Sequence, residues 1–226
     1  MTFEIALQSV KARMDAACQA GGRTRSSVQL LAVSKTFPAD AVAQMAALGQ
    51  RDFGENYIQE GVDKITALAD LGLVWHCIGP VQGNKTRLVA EHFDWVHSVD
   101  RLKIAQRLSD QRPGHLAPLN VCIQVNIDGG AAKAGVVPHE ALALASAVAA
   151  LPGLRLRGLM TIPEPAPDFA AALAVHRAAK DLFDDLRTSG LDIDTLSMGM
   201  SADLEAAIQA GSTMVRVGSA LFGGRA

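Results

Sequence analysis

The sequence predicts an α/β protein folded as a single (β/α)8 TIM-type barrel with an extra N-terminal helix. Three observations carry that expectation. Short runs rich in Val, Ile and Leu alternate with helical patterns almost without pause through 226 residues. Eight such runs occur, and a parallel pair needs a crossover, usually helical, which the spacing supplies. No internal linker, low-complexity tract or charge block interrupts the chain, so residues 1–226 read as one domain. An open doubly wound sheet is the competing arrangement.

The elements follow in order. "MTFEIALQSVKARMDAA" is an amphipathic helix, with Glu4 and Lys11 inside it. Residues 28–34, "VQLLAVS", are the first strand, and "PADAVAQMAALG" is a helix that stops at Gly49. "RDFGEN" is a short strand followed by a helix from about Tyr57 to Leu68. "LVWHCIG" and "GNKTRLVAEH" form the third pair. "DWVHSV" precedes "DRLKIAQRLSD", with Asp100 as the expected N-cap. "LNVCIQVNI" is the fifth strand, and a helix at 138–151 leads to the sixth, "LRLRGLM". A long helix begins at Asp168 and ends before Gly190, with Phe169, Ala172, Leu173, Ala179, Phe183 and Leu186 on one stripe. "DTLSMG" and "TMVRVG" are strands seven and eight.

Bulk composition excludes several classes. Twenty-one basic against 23 acidic residues give a net charge of −2, and no basic stripe supports nucleic-acid binding. Cys18, Cys77 and Cys122 are far apart and odd in number, which fits free thiols in a reducing cytoplasm. The first residues do not read as a signal peptide. The longest apolar run breaks at Pro152 and is too short to span a bilayer. No symmetric interface pattern stands out, so a cytoplasmic monomer is expected.

In such barrels chemistry sits at the C-terminal ends of the strands. Strand alternation puts Leu31, Val33 and Lys35 on one face. An ammonium sheathed in apolar side chains loses basicity, and the free amine is a nucleophile suited to imine formation. The competing reading has Lys35 snorkelling to water or paired with a carboxylate such as Glu55. "LSMGMSADLEAA" and "VRVGSALFGGR" place Gly199, Ser201, Gly218 and Ser219 after strands seven and eight. Phosphate sites recur there in this fold. Asp203 and Glu205 would repel a phosphate if they faced it. Arg216, near the end of strand eight, needs an acceptor: a ring nitrogen, or a salt bridge at the rim. An aldehyde for Lys35, a phosphate for the Gly–Ser loops and a ring nitrogen for Arg216 together describe pyridoxal 5′-phosphate.

The chain resembles the pyridoxal phosphate homeostasis proteins, relatives of the N-terminal barrel of alanine racemases. The pieces that carry the likeness are "LLAVSKTFP", "FGENYIQE", "WHCIGPVQGNKTR", "HSVDRLKIAQRL", "QVNIDGGAAKAGV", "LRGLMTIPE" and "LSMGMSADLEAAIQAGSTMVRVGSALFG". The resemblance implies an imine on Lys35 and phosphate contacts from Ser201, Gly218 and Ser219. It also implies a ring-nitrogen contact from Arg216 and a place for Asn56 near the cofactor. Three departures stand out: Gly130-Ala131 where the family usually has a glutamate, Gly83 where it has Ser or Thr, and Ser219 in place of threonine.

An arginine at the ring nitrogen keeps that atom unprotonated and the ring a weak electron sink, which disfavours transamination. The expectation is therefore a carrier with no catalytic residue, which holds the cofactor and supplies apoenzymes that require it. The alternative is a small amino-acid racemase. Racemases related to this family pair the lysine with a tyrosine from a second domain, whereas the one tyrosine here, Tyr57, reads as a packing residue. His76, His97 and Cys77 lack metal-ligand spacing, and the two histidines read as hydrogen-bonded rim residues. Glu55 reads as a helix-start carboxylate, "GPVQGNKTR" as a solvated turn, and Lys133 to Gly135 as a loop at the mouth.

Overall fold

The computed structural model describes residues 2–130 and 134–223. Eight parallel strands close into a barrel in sequence order, with β8 returning to pair with β1. The strands are β1 Gln29–Val33, β2 Asp52–Glu55, β3 Val74–Cys77, β4 Trp95–Val99, β5 Leu119–Val125, β6 Leu154–Thr161, β7 Thr195–Ser197 and β8 Met214–Val217. Between them run α2 Ala39–Ala47, α3 Ile58–Ala67, α4 Thr86–His92, α5 Leu102–Gln111, α6 Ala141–Ala149, α7 Phe169–Thr188 and α8 Leu204–Ala210. The extra helix, α1 Phe3–Ala20, precedes β1, and a single turn, α9 Ser219–Phe222, follows β8. The closed sheet excludes the open doubly wound alternative.

Period-two alternation sorts the strand residues into two cores. Leu30, Ala32, Phe53, Trp75, Val96, Val121, Ile123, Leu196, Val215 and Val217 join the layer between sheet and helices. Burying a side chain of Leu or Phe size stabilises by roughly 1.5–3 kcal/mol, so this layer is what holds the helices on. The inward residues are sparser. Trp95, Cys122 and Met160 pack with Val74 as a small apolar plug inside the barrel. Above and beside the plug the interior is polar, with His76, His97, Ser197 and Arg216 all buried.

Local chemistry sets the helix ends. Asp168 caps α7 by accepting from the Ala171 N–H at 2.8 Å, and Thr2 caps α1. Gly49 (φ 92°) takes the left-handed conformation just beyond α2, which is where the sequence stops that helix. Asp100 does not cap α5. The N-cap position belongs to Arg101, whose Nη1 donates to Asp100 at 3.3 Å. On α7, Phe169 is 49% exposed, and the buried stripe instead takes in His176. α1 lies against α8 and α9; Phe3 and Phe37 both pack on Phe222, with ring centroids 5.7 and 5.0 Å apart. Cys18, Cys77 and Cys122 are free and buried. Among the described residues no helix is long and apolar enough to cross a membrane.

Candidate functional site

A cleft of about 370 Å3 opens at the C-terminal ends of the strands. Lys35, Asn56, Ser201, Arg216, Gly218 and Ser219 all line it. Val33, Ile78, Ile162 and Met200 supply apolar wall between them. His76, His97 and Asn126, also near strand ends in sequence, are not in the lining; Asn126 turns its Nδ2 to the Gly130 carbonyl. Ala131 and Lys133 lie outside the described residues.

Lys35 sits two residues past β1, in a turn gripped from both sides. Lys64, on α3, donates to the Ser34 carbonyl at 2.8 Å, to Glu55 Oε1 at 2.8 Å and to Glu60 Oε1 at 2.6 Å. Ser34 Oγ also donates to Glu55 Oε1, at 2.6 Å. Glu60 Oε1 then accepts the Thr36 N–H at 2.6 Å. The residues before and after Lys35 are thus tied to one ion pair. The grip matters because Thr36 has φ 69°, a left-handed conformation that costs a β-branched residue on the order of 1–2 kcal/mol. Burial pushes the Glu55 carboxyl up, against the opposing pull of Lys64 and Ser34. Glu55 is therefore no helix-start carboxylate. It ends β2, fully buried, with Ser34 and Lys64 as its hydrogen-bond donors.

Arg216 points from β8 into the barrel and forms one side of the cleft floor. Its Nη1 donates to the Ser197 carbonyl at 2.7 Å and to Ser197 Oγ at 2.8 Å; its Nη2 donates to the Thr161 carbonyl at 2.8 Å. Those three bonds leave two of the five guanidinium N–H groups to offer a ligand. Burial lowers its pKa to about 10, so it stays a cation at neutral pH. The salt bridge considered at the sequence level is replaced by these hydroxyl and carbonyl acceptors.

Behind Arg216 a file of hydrogen bonds crosses the interior. Ser197 Oγ meets His97 Nδ1 at 2.9 Å, His97 Nε2 meets His76 Nδ1 at 2.9 Å, and His76 Nε2 meets Asp52 Oδ1 at 3.2 Å. One donor order satisfies every link. The Asp52 carboxylate only accepts, so His76 donates from Nε2 and accepts at Nδ1. His97 then donates from Nε2 and accepts the Ser197 hydroxyl, which accepts from Arg216. Both imidazoles are neutral in this order. Burial lowers the pKa of His76, against the pull of Asp52, and drops that of His97 well below its ordinary value, with His76 and Arg216 adding to the effect. Neither histidine is a rim residue.

The opposite end of the cleft is built from the loops after β7 and β8. Gly199 has φ 92°, and a Cβ there would come within 2.3 Å of Ala207 Cβ. Only glycine lets the loop carrying Ser201 lie this close to α8. Ser201 does not cap that helix, whose N-cap position is Asp203. Its carbonyl accepts from Arg13 Nη2 at 2.9 Å. The two carboxylates expected to repel an anion are committed elsewhere. Asp203 bonds His176 at 2.9 Å and the Met200 N–H at 2.6 Å. Glu205 takes Arg13 in a two-pronged pair at 2.7 and 2.9 Å, which holds its pKa low. Burial acts to raise the Asp203 pKa, but the bonds from His176 and Met200 outweigh it and the net shift is downward.

The lining fits an aldehyde-bearing aromatic anion. Lys35 offers the amine and Arg216 the spare donors, while Ser201, Gly218 and Ser219 edge the anion end. Asn56 Oδ1 and Thr161 Oγ1 are buried without a hydrogen-bond partner among the described residues, which marks polar capacity at this end of the barrel. Tyr57 is not a packing residue: it is 57% exposed and not among the residues lining the cleft.

Known proteins agree with this architecture. The family described as alanine racemase, N-terminal domain, matches residues 5–226. The pyridoxal phosphate homeostasis protein of Pseudomonas aeruginosa is 60% identical over 97% of this chain and 94% of its own length. That of Escherichia coli is 55% identical over 97% and 95%. PipY of Synechococcus elongatus, solved with PLP bound, superposes with a TM-score of 0.85 at 36% identity, covering 98% of this chain and all of its own. By identity, coverage and fold together, the chain belongs to the alanine racemase N-terminal-domain family, among the pyridoxal phosphate homeostasis proteins.

Proposed function

We propose that the chain binds pyridoxal 5′-phosphate through an imine on Lys35 and holds it for apoenzymes that require it, as a cytoplasmic, single-domain monomer. In this reading Ser201, Gly218 and Ser219 bind the phosphate, Arg216 donates to the ring nitrogen, and Asn56 contacts the cofactor. Bound there, the cofactor supplies an electrophilic carbon and, with its ring nitrogen unprotonated, only a weak electron sink. The relatives' names and the PLP carried by PipY support the ligand. Three buried free cysteines suit a reducing compartment.

One observation favours holding over turnover. The ionisable side chains in the described lining are Lys35 and Arg216, with no carboxylate, imidazole or phenol among them. Racemisation needs a proton-moving group on each face of the substrate carbon, and Tyr57 does not line the cleft. Borohydride reduction of loaded protein followed by peptide mass analysis tests the attachment. A pyridoxyl adduct on the Lys35 peptide is expected, and its loss in Lys35→Ala. An adduct elsewhere, or none, would overturn the proposal.

A further inference from the structure

The extra helix α1 lies outside the eightfold repeat, yet it reaches both segments at the anion end of the cleft. Phe3, at its start, packs edge-on against Phe222 of α9, the turn that Ser219 opens. Arg13, midway along it, turns to the loop that carries Ser201. Its Nε and Nη2 donate to the two carboxylate oxygens of Glu205 at 2.7 and 2.9 Å, and the same Nη2 donates to the Ser201 carbonyl at 2.9 Å. One planar guanidinium therefore ties the backbone of Ser201 to the first turn of α8. Asp203 holds the loop from the other side: it accepts the Met200 N–H at 2.6 Å and is itself bonded by His176 of α7 at 2.9 Å. Residues 200–201 are bracketed between these two anchors.

We infer that Arg13 is a positioning residue for phosphate recognition: it holds the Ser201 loop in the shape that takes the cofactor's phosphate, and it neutralises the carboxylate beside that loop. The inference rests on the cofactor reading above. Arg13 is not among the residues lining the cleft, so it acts through Ser201 and Glu205. Arg13→Met frees the Ser201 carbonyl and leaves Glu205 without its cation. Both changes act on the phosphate, and neither acts on the imine carbon or the ring. Arg23 supplies the contrast. Its Nη1 donates to the Ile208 and Ser212 carbonyls at 2.7 Å each, so it braces the far end of α8, away from the Ser201 loop.

The test compares pyridoxal 5′-phosphate with pyridoxal, which carries the same aldehyde and ring without the phosphate. Dissociation constants are read by absorbance titration of wild type, Arg13→Met, Arg13→Lys and Arg23→Met. In Arg13→Met the phosphorylated ligand should bind about tenfold more weakly, while pyridoxal changes by less than about twofold. Arg13→Lys keeps the charge but loses the two-pronged geometry, and should fall between wild type and Arg13→Met. Arg23→Met should lower the thermal midpoint and shift both ligands by the same factor. The phosphorus NMR resonance of the bound cofactor gives a second readout, displaced in Arg13→Met and unmoved in Arg23→Met. Equal weakening of both ligands in Arg13→Met, or wild-type affinity for the phosphorylated one, would overturn the role of Arg13 while leaving the cofactor reading intact. Wild-type protein that binds neither ligand sinks the cofactor reading first, and the role of Arg13 with it.

Discussion

Ser197 stands between Arg216 and His97, its hydroxyl accepting from Nη1 at 2.8 Å and donating to Nδ1 at 2.9 Å. One hydroxyl thus couples the guanidinium at the cleft floor to the imidazole pair in the barrel interior. The Ser197 carbonyl holds the same Nη1, so the backbone anchors what the hydroxyl orients. Ser197→Ala should leave His97 Nδ1 without a donor and Arg216 with one acceptor fewer. Stability should fall by about 1–3 kcal/mol, read as a lower urea midpoint at unchanged slope. Cofactor affinity should weaken as well, because Arg216 gains freedom to tilt.

The neutral imidazole pair makes stability depend on pH. In the unfolded chain His76 and His97 take up protons near their ordinary value of about 6.5. In the fold burial lowers both, His97 the more. Below pH ~6.5 the unfolded state therefore binds more protons than the folded one. Stability is present above that value and is lost as pH falls, by up to about 1.4 kcal/mol per pH unit for each histidine that stays neutral. Urea midpoints measured at pH 7.5, 6.5 and 5.5 should decline accordingly. His97→Gln keeps a hydrogen-bonding side chain but does not titrate, so it should flatten the decline. An equal slope in wild type and variant would refute the neutral file.

The ion pair beneath Lys35 offers a sharper test. Lys64→Met leaves the Glu55 and Glu60 carboxylates facing each other without their ammonium, and Glu55 is fully buried. Removing one partner of a buried pair costs about 3–5 kcal/mol. The double variant Lys64→Met with Glu55→Gln should recover much of that stability in thermal melts. It should not recover cofactor affinity to the same degree, because the Ser34 carbonyl still lacks the Lys64 bond that steadies the turn.

Much of this was legible in the sequence, and the reasons are physical. Arg216 lies on β8 and Lys35 just past the end of β1, so the barrel brings both to one mouth, and the glycines and serines after β7 and β8 mark loops there. What was hidden depends on distance across the fold. Glu60 and Lys64 are spaced i, i+4 on α3, a pattern that ordinarily marks a solvated surface pair. Here it lies under the Lys35 turn because Glu55, from the neighbouring strand end, needs a cation. His76 and His97 looked like rim residues because each sits near a strand end. A barrel interior with a small apolar plug of Trp95, Cys122, Met160 and Val74 leaves room for them, and burial then makes them neutral. Tyr57 and Phe169 misled in the opposite direction: both look like core residues, and both face solvent.

Gly79 ties the site to backbone geometry alone. A Cβ at Gly79 would lie 2.1 Å from the Asn56 carbonyl oxygen and 2.8 Å from the Asn56 Cα. No rotamer relieves a clash between backbone atoms, so one of the two loops must move. The Gly79 carbonyl is itself held by Ser98 Oγ at 2.6 Å, which makes Asn56 the segment that gives way. Gly79→Ala should therefore cost about 1–3 kcal/mol of stability and weaken cofactor binding by displacing Asn56 from the cleft. Gly83→Ala, four residues on and opening into free space, is the matched control and should stay within about 0.5 kcal/mol of wild type. Denaturation midpoints and cofactor titrations on the two variants decide the matter. If both bind the cofactor as wild type does, Asn56 has no part in the site.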